Sequence, residues 1–175
     1  KYFAPYPLGK MELPPKIPGD QDDIPQNSGN RRTTANYQMD LNQQKGTLRA
    51  YYASVSFIDT LVGKILSALE ATGQRDNTIV IFTSDHGYHL GEHDLWQKVS
   101  IHEESAKVPL IICVPGKKPA VCNSLAELID LYPTASKLCG LKIPGNIQGK
   151  DISTMLDDPT FKVRKAAFSS GRGRL

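Results

Sequence analysis

The sequence is most readable at first through what it has little of. Its formal net charge is only +3, and no basic run is interleaved with aromatics, so no nucleic-acid surface and no electrostatic attachment to an anionic membrane is indicated. No stretch reads as a membrane span, and Lys1-Tyr2-Phe3-Ala4-Pro5-Tyr6-Pro7 has no signal-peptide pattern; it reads like the middle of a protein. There are three cysteines, Cys113, Cys122 and Cys139, an odd number at irregular spacing that makes neither a zinc knuckle nor a disulfide framework. Cys113 falls in a strand pattern and Cys139 ends a helical one, so both read as small core residues. What remains is a soluble composition, 39% hydrophobic over 175 residues, sufficient for one domain with a sizeable core.

Along the chain the pattern changes once. Residues 1–46 hold Pro5, Pro7, Pro14, Pro15, Pro18 and Pro25 and the polar tract Gly19 to Arg32, which predicts an extended, loop-rich segment wrapping the body. From Thr47, apolar residues recur at helical spacing (Leu48, Val55, Ile58, Val62, Leu69) until Gly73, predicting an amphipathic helix. The β-branched run 78–83 reads as a strand buried on both faces, and 109–114 as a second, closed by Pro115-Gly116. A short helix is expected near 101–106, a short strand within 124–129, and a helix from Asp130 to Gly140. Alternating strands and helices make residues 47–168 an α/β body, with 169–175 as a frayed tail.

Chemistry concentrates directly after the first strand. Ser84-Asp85-His86-Gly87 delivers a carboxylate and an imidazole where α/β proteins place their ligand sites, beyond the carboxyl end of a strand. Oxygen and nitrogen donors side by side suit a divalent cation; an N-cap and turn is the competing reading. Three of the four histidines, the only Trp and a lysine follow within Tyr88-His89-Leu90-Gly91-Glu92-His93-Asp94-Leu95-Trp96-Gln97-Lys98, counting from His86. His89 to His93 spells H-x-x-E-H, the inverted zinc-protease motif, but Gly87, Gly91 and the strand upstream argue against the helix that motif requires.

The stretch from Asn77 to Gly116, with its Ser-Asp-His-Gly, Leu-Gly-Glu-His, following aromatic, lysine and Val-Pro-Leu strand, resembles the sulfatase family of the alkaline-phosphatase-like superfamily. The variant is closest to the iduronate-2-sulfatase-like branch, and the resemblance continues through Tyr51–Asp59, Asp130–Thr134 and Pro144–Gly149. It implies an α/β fold, part of an alkaline-phosphatase-like mixed sheet flanked by helices. It makes Asp85 and His86 the second ligand pair of the active-site divalent ion, most often Ca2+. Calcium prefers oxygen, so His86 either departs from that shell, stands behind it as a hydrogen-bond donor, or favours a softer ion. Lys98 matches the lysine that touches the sulfate group, as both catalytic and substrate-binding residue, and His89 is expected to face substrate. Glu92 and His93 are expected to brace the loop, and His102, Glu103 and Glu104 to form a polar helix face.

Several family parts are not found in this sequence: the C/S-x-P-S-R motif whose oxidised residue becomes the formylglycine nucleophile, the first pair of metal-ligating aspartates, and the upstream substrate-side lysine and histidine. Cys113-Val114-Pro115-Gly116-Lys117 starts like the nucleophile motif but lacks its Ser and Arg and follows the Asp-His pair instead of preceding it. The resemblance thus implies a fragment of a metal-dependent sulfatase, inactive alone, acting within its parent on a sulfated small molecule or saccharide. Its expected partner is the missing N-terminal half of the catalytic domain, or a second copy through exposed apolar surface; the implied location is secreted, periplasmic or lysosomal. Two other readings stay open: a phosphoryl-transfer hydrolase of the same superfamily, and a non-catalytic binding or structural fragment.

Overall fold

The structure, a computed structural model, describes residues 1–20, 22 and 33–169. It divides into two compact units, one built from residues 1–78 and 82–111 and the other from 79–81 and 112–169. The expected tail lies outside the described residues except for Ser169, as does most of the polar tract.

In the first unit, a short helix α1 (Thr34–Tyr37) leads to α2 (Leu41–Ala71), which dominates the unit. The helix starts at Leu41, seven residues before the apolar period opens at Leu48, because a capping box sets its first turn. Asp40 accepts from the Gln43 backbone N–H, and the Gln43 side chain accepts from the Asp40 N–H. Residues 1–11 lie along it: Tyr6 Oη meets Ser56 Oγ at 2.7 Å, Arg49 Nε donates to the Tyr6 carbonyl at 2.7 Å, and Tyr2 and Tyr6 pack edge-on against Phe57 and Tyr52. Met11, Leu48, Leu90 and Trp96 form the buried core, with Tyr6, Leu13, Met39 and Tyr88 packed against them. The expectation that no stretch has the dimensions of a membrane span needs correcting for α2, which is 31 residues long and apolar enough by length and composition.

Strand β1 (Val80–Thr83) follows, and after the site loop come the two-residue strands β2 (His89–Leu90) and β3 (Trp96–Gln97), paired antiparallel with His89 opposite Gln97. Helix α3 (Glu103–Ala106) is a single turn, and β4 (Leu110–Cys113) pairs with β1. Neither strand is buried on both faces in this chain: Phe82 is 39% and Ile111 53% exposed. Two strands give each other hydrogen bonds but cannot cover each other's faces, which need a layer above and below. Cys113 and Cys139 are exposed and all three cysteines are free, so the core role read for those two does not hold.

In the second unit, the stretch expected as a strand at 124–129 is irregular and ends in a 3-10 turn, Leu128–Asp130. Its backbone is committed elsewhere: the Glu127 N–H donates to Asp130 Oδ2 at 2.8 Å and the Asp130 N–H to the Glu127 carbonyl. Helix α4 (Leu131–Leu138) follows, ending before Gly140 in the left-handed region at φ +69°, a conformation suited to glycine. Asp130 is fully buried; its Oδ1 takes the Lys150 N–H at 2.8 Å and Arg164 Nη2 at 2.5 Å. Arg164 also pairs with Glu127.

Candidate active-site half

The first unit gathers the sequence-predicted residues around the end of β1. Asp85 and His86 stand two and three residues beyond Thr83, with Asp85 Oδ2 3.5 Å from His86 Nε2. Gly87 is required there by space: a Cβ would come within 2.0 Å of the Glu104 carbonyl oxygen, and its own N–H donates to the Ser105 carbonyl at 2.9 Å. Only a bare backbone lets the loop approach α3 this closely.

The hydrogen bonds assign the His86 tautomer. Nδ1 lies 2.8 Å from the Gly87 carbonyl, which can only accept, so Nδ1 carries the proton and Nε2 presents its lone pair. That lone pair accepts from the Lys98 ammonium at 2.7 Å. An imidazole whose other nitrogen is anchored to a backbone carbonyl is oriented as metal-ligating histidines are. Asp85 is held locally, its Oδ1 accepting from the His86 N–H at 3.1 Å, while its side chain is 84% exposed. Asp85 Oδ2, His86 Nε2 and Lys98 Nζ therefore form one group: a carboxylate and an imidazole lone pair facing a cation, with the carboxylate open to solvent. A carboxylate oxygen and an imidazole nitrogen side by side are donors that a divalent ion can use.

His89 does not take the place expected of it. It is fully buried in β2, its Nε2 2.6 Å from Ser100 Oγ, and burial pushes its pKa below the ordinary histidine value. The enclosed ring lies in the wall behind the loop, closed off from solvent. Glu92 caps that loop by accepting the Leu90 N–H at 2.6 Å. His93 is in the left-handed region at φ 56°, as is Asp94, and Gly91 has φ 117°, so His89 and His93 share no helix and the protease motif has no helical frame.

The residues least legible in the sequence lie beside this loop. His93 Nδ1 is 2.7 Å from Asp20 Oδ2 and its Nε2 3.3 Å from Glu104 Oε2. Burial opposes a charge on His93, but the two carboxylates outweigh it and raise its pKa above the ordinary value. The His102 ring stacks on His93 with centroids 4.3 Å apart. His102 and Glu104 are thus part of a cluster and not only a polar helix face. The clue available in the sequence was the third histidine-to-carboxylate spacing, His102-Glu103-Glu104, nine residues after His93.

Comparison with known proteins comes out in one direction. Residues 17–141 match the family model described as Sulfatase. The chain is 36% identical over 127 residues to iduronate 2-sulfatase of Homo sapiens, an alignment covering 58% of this chain and 23% of that protein. Among solved structures it is similar to a phosphonate monoester hydrolase from Silicibacter pomeroyi, with TM-score 0.78 and 28% identity over 89% of this chain and 33% of the other. It is also similar to a protein solved with its substrate D-glucosamine-2-N,6-O-disulfate, with TM-score 0.60 and 32% identity over 73% of this chain and 28% of the other. The chain spans about a fifth to a third of the length of the curated relatives it matches, from 19% to 32%.

Proposed function

Since the chain belongs to the sulfatase family, with the α/β fold of its alkaline-phosphatase-like structural neighbours, we propose that it is the later part of a sulfatase catalytic domain and supplies half of a sulfate-ester-hydrolysing site. The observation that carries this reading is the Asp85–His86–Lys98 group, with the His86 Nε2 lone pair turned toward a cation by the Gly87 carbonyl. Asp85 and His86 would hold the divalent ion, proposed as Ca2+, which when bound neutralises sulfate oxygens and helps activate a nucleophile. The nucleophile, a formylglycine, and the remaining ligands would come from sequence outside these 175 residues.

The chain's own residues would act by position and charge. The lone pair of His86 Nε2 serves one partner at a time, so it would hold either an ion or the Lys98 ammonium. With the ion held there, Lys98 would be free to face the sulfate group and stabilise negative charge growing on the leaving oxygen. His89, neutral and enclosed, would hold Ser100 and the loop floor in register rather than touch substrate. The substrate class we propose is a sulfated sugar: a structural neighbour is solved with a disulfated glucosamine, and a relative is an iduronate 2-sulfatase. The resemblance to phosphonate monoester hydrolases favours the phosphoryl-transfer alternative as the second reading.

The exposed apolar residues of α2, among them Tyr52, Val55, Phe57, Ile58 and Ile65, with Phe82 and Ile111 of the strands, fit burial against the rest of the catalytic domain. Exposed apolar side chains in such number mark an interaction surface.

The test is metal dependence located at Asp85. In the intact protein, Asp85→Ala should remove the bound divalent ion and abolish sulfate-ester hydrolysis together. Turnover at the parent rate after Asp85→Ala, with metal content unchanged, would overturn the assignment.

A further inference from the structure

We propose that His93, His102 and Glu104 form a binding site for a divalent transition-metal ion of the zinc class, using neither Asp85 nor His86. One ligand atom from each lies within 4.8 Å of the others. His93 Nε2 and Glu104 Oε2 are 3.3 Å apart, the separation that two ligands of a tetrahedral ion adopt when each bond is ~2.0–2.2 Å. With all three ligand atoms within 4.8 Å of one another, His102 needs to close in by at most ~1.5 Å to complete the set.

Three further observations point to a cation there. First, Asp20 Oδ2 holds His93 Nδ1 at 2.7 Å, so that proton is spoken for and Nε2 is the atom turned to Glu104. Carboxylate, imidazole and metal in line is the arrangement that fixes tautomer and raises ligand basicity at zinc sites. Second, Glu104 Oε2 is closed off from solvent, and its 3.3 Å approach to His93 Nε2 is an ion-pair contact without good hydrogen-bond geometry. A buried carboxylate oxygen so placed keeps acceptor capacity for a further cation. Third, the wall behind the cluster is His89, whose buried Nδ1 likewise has no hydrogen-bond partner among the described residues and whose ring lies 6.0 Å from His93 and 5.8 Å from His102. Two nitrogens and one oxygen select zinc-like ions over calcium, which takes oxygen ligands. With side chains of His93 and Glu104 about a quarter to a third exposed, a water can fill the fourth position. Such an ion would tie Asp20, the site loop and α3 together.

The experiment titrates Zn2+ and Co2+ into the full chain carrying Asp85→Ala and His86→Ala, so that those two donors contribute nothing. The expected result is one equivalent bound, with the intense visible d–d bands of four-coordinate Co2+ and X-ray absorption showing two imidazoles on Zn2+. Asp20→Asn should weaken binding 10–100-fold, as loss of an orienting carboxylate does, and His102→Phe or Glu104→Gln should remove stoichiometric uptake. No uptake above that of a histidine-free control, fewer than two imidazoles on the ion, or unchanged affinity in folded His102→Phe overturns the proposal. If His102→Phe or Glu104→Gln fails to fold, the imidazole count on the folded background decides the question alone.

Discussion

Lys98→Ala should lower kcat on a sulfate ester by on the order of a hundredfold or more in the intact protein, with much less change in KM. The ammonium is exposed and its one hydrogen bond among the described residues is to His86 Nε2, so removing it takes away no core packing. On the proposed function, what would be lost is a positive charge positioned where a leaving oxygen becomes negative. Interactions that strengthen only in the transition state appear in kcat, whereas uniform binding appears in KM. The control is Lys107→Ala. Lys107 makes an exposed pair with Glu103 one helical turn away, 3.3 Å apart, a contact worth a few tenths of a kcal/mol at ~0.3–0.5. Steady-state kinetics with both variants within about twofold of the parent would show that Lys98 has no part in the chemistry.

Arg164→Ala should destabilise the chain by about 3–5 kcal/mol, the usual penalty for stripping one partner from a buried ion pair. The Arg164 side chain is 6% exposed and joins Asp130, fully buried, to Glu127. Its removal leaves two carboxylates enclosed with no counter-charge. Asp130 also organises the backbone around α4 by taking the N–H groups of Glu127 and Lys150, and the Asp130 carbonyl accepts from Thr134 Oγ1 at 2.6 Å. Denaturant unfolding of the full chain measures the loss. Arg164→Lys should recover part of it, since an ammonium keeps the charge but not the two-pronged reach to both carboxylates. A loss below about 1 kcal/mol, the range of exposed pairs, would mean the cluster is open to water.

These two cases bracket what could be read from the sequence. The grouping of Asp85, His86 and Lys98 is local: a strand, a Ser-Asp-His-Gly turn and a short loop fix their register. The start of α2 was missed although Asp40 and Gln43 spell a capping box, because helix starts are set by polar caps and the apolar period begins only at Leu48. The burial of β1 and β4 was over-read for a related reason: β-branched runs report the layers of a complete sheet, and among the described residues β1 and β4 pair only with each other. Arg164 was invisible, lying 34 residues from Asp130 in a stretch with no apolar period. The His93–His102–Glu104 cluster was hidden by backbone. His93, Asp94 and Gln97 all take positive φ, at 56°, 56° and 70°, and no hydrophobic period anticipates a loop folded that way. His89 was misdirected because three histidines in a loop suggest a solvent-facing site, whereas its place in β2 puts it inside.

The second unit, with Arg164 and Asp130, and the first, with the site loop, thus depend on different physics. One is held by a buried ionic cluster around a short helix. The other is a long helix against which an irregular, proline-rich strand of chain and a tight loop are packed. The activity proposed rests only on the latter.

The most direct measurement is the hydrolysis of an aryl sulfate against an aryl phosphonate monoester by the intact protein, run with the parent and with Asp85→Ala. The account predicts a higher kcat/KM for the sulfate ester, lost in the Asp85 variant. A higher kcat/KM for the phosphonate ester, or sulfate turnover that Asp85→Ala leaves intact, would contradict it.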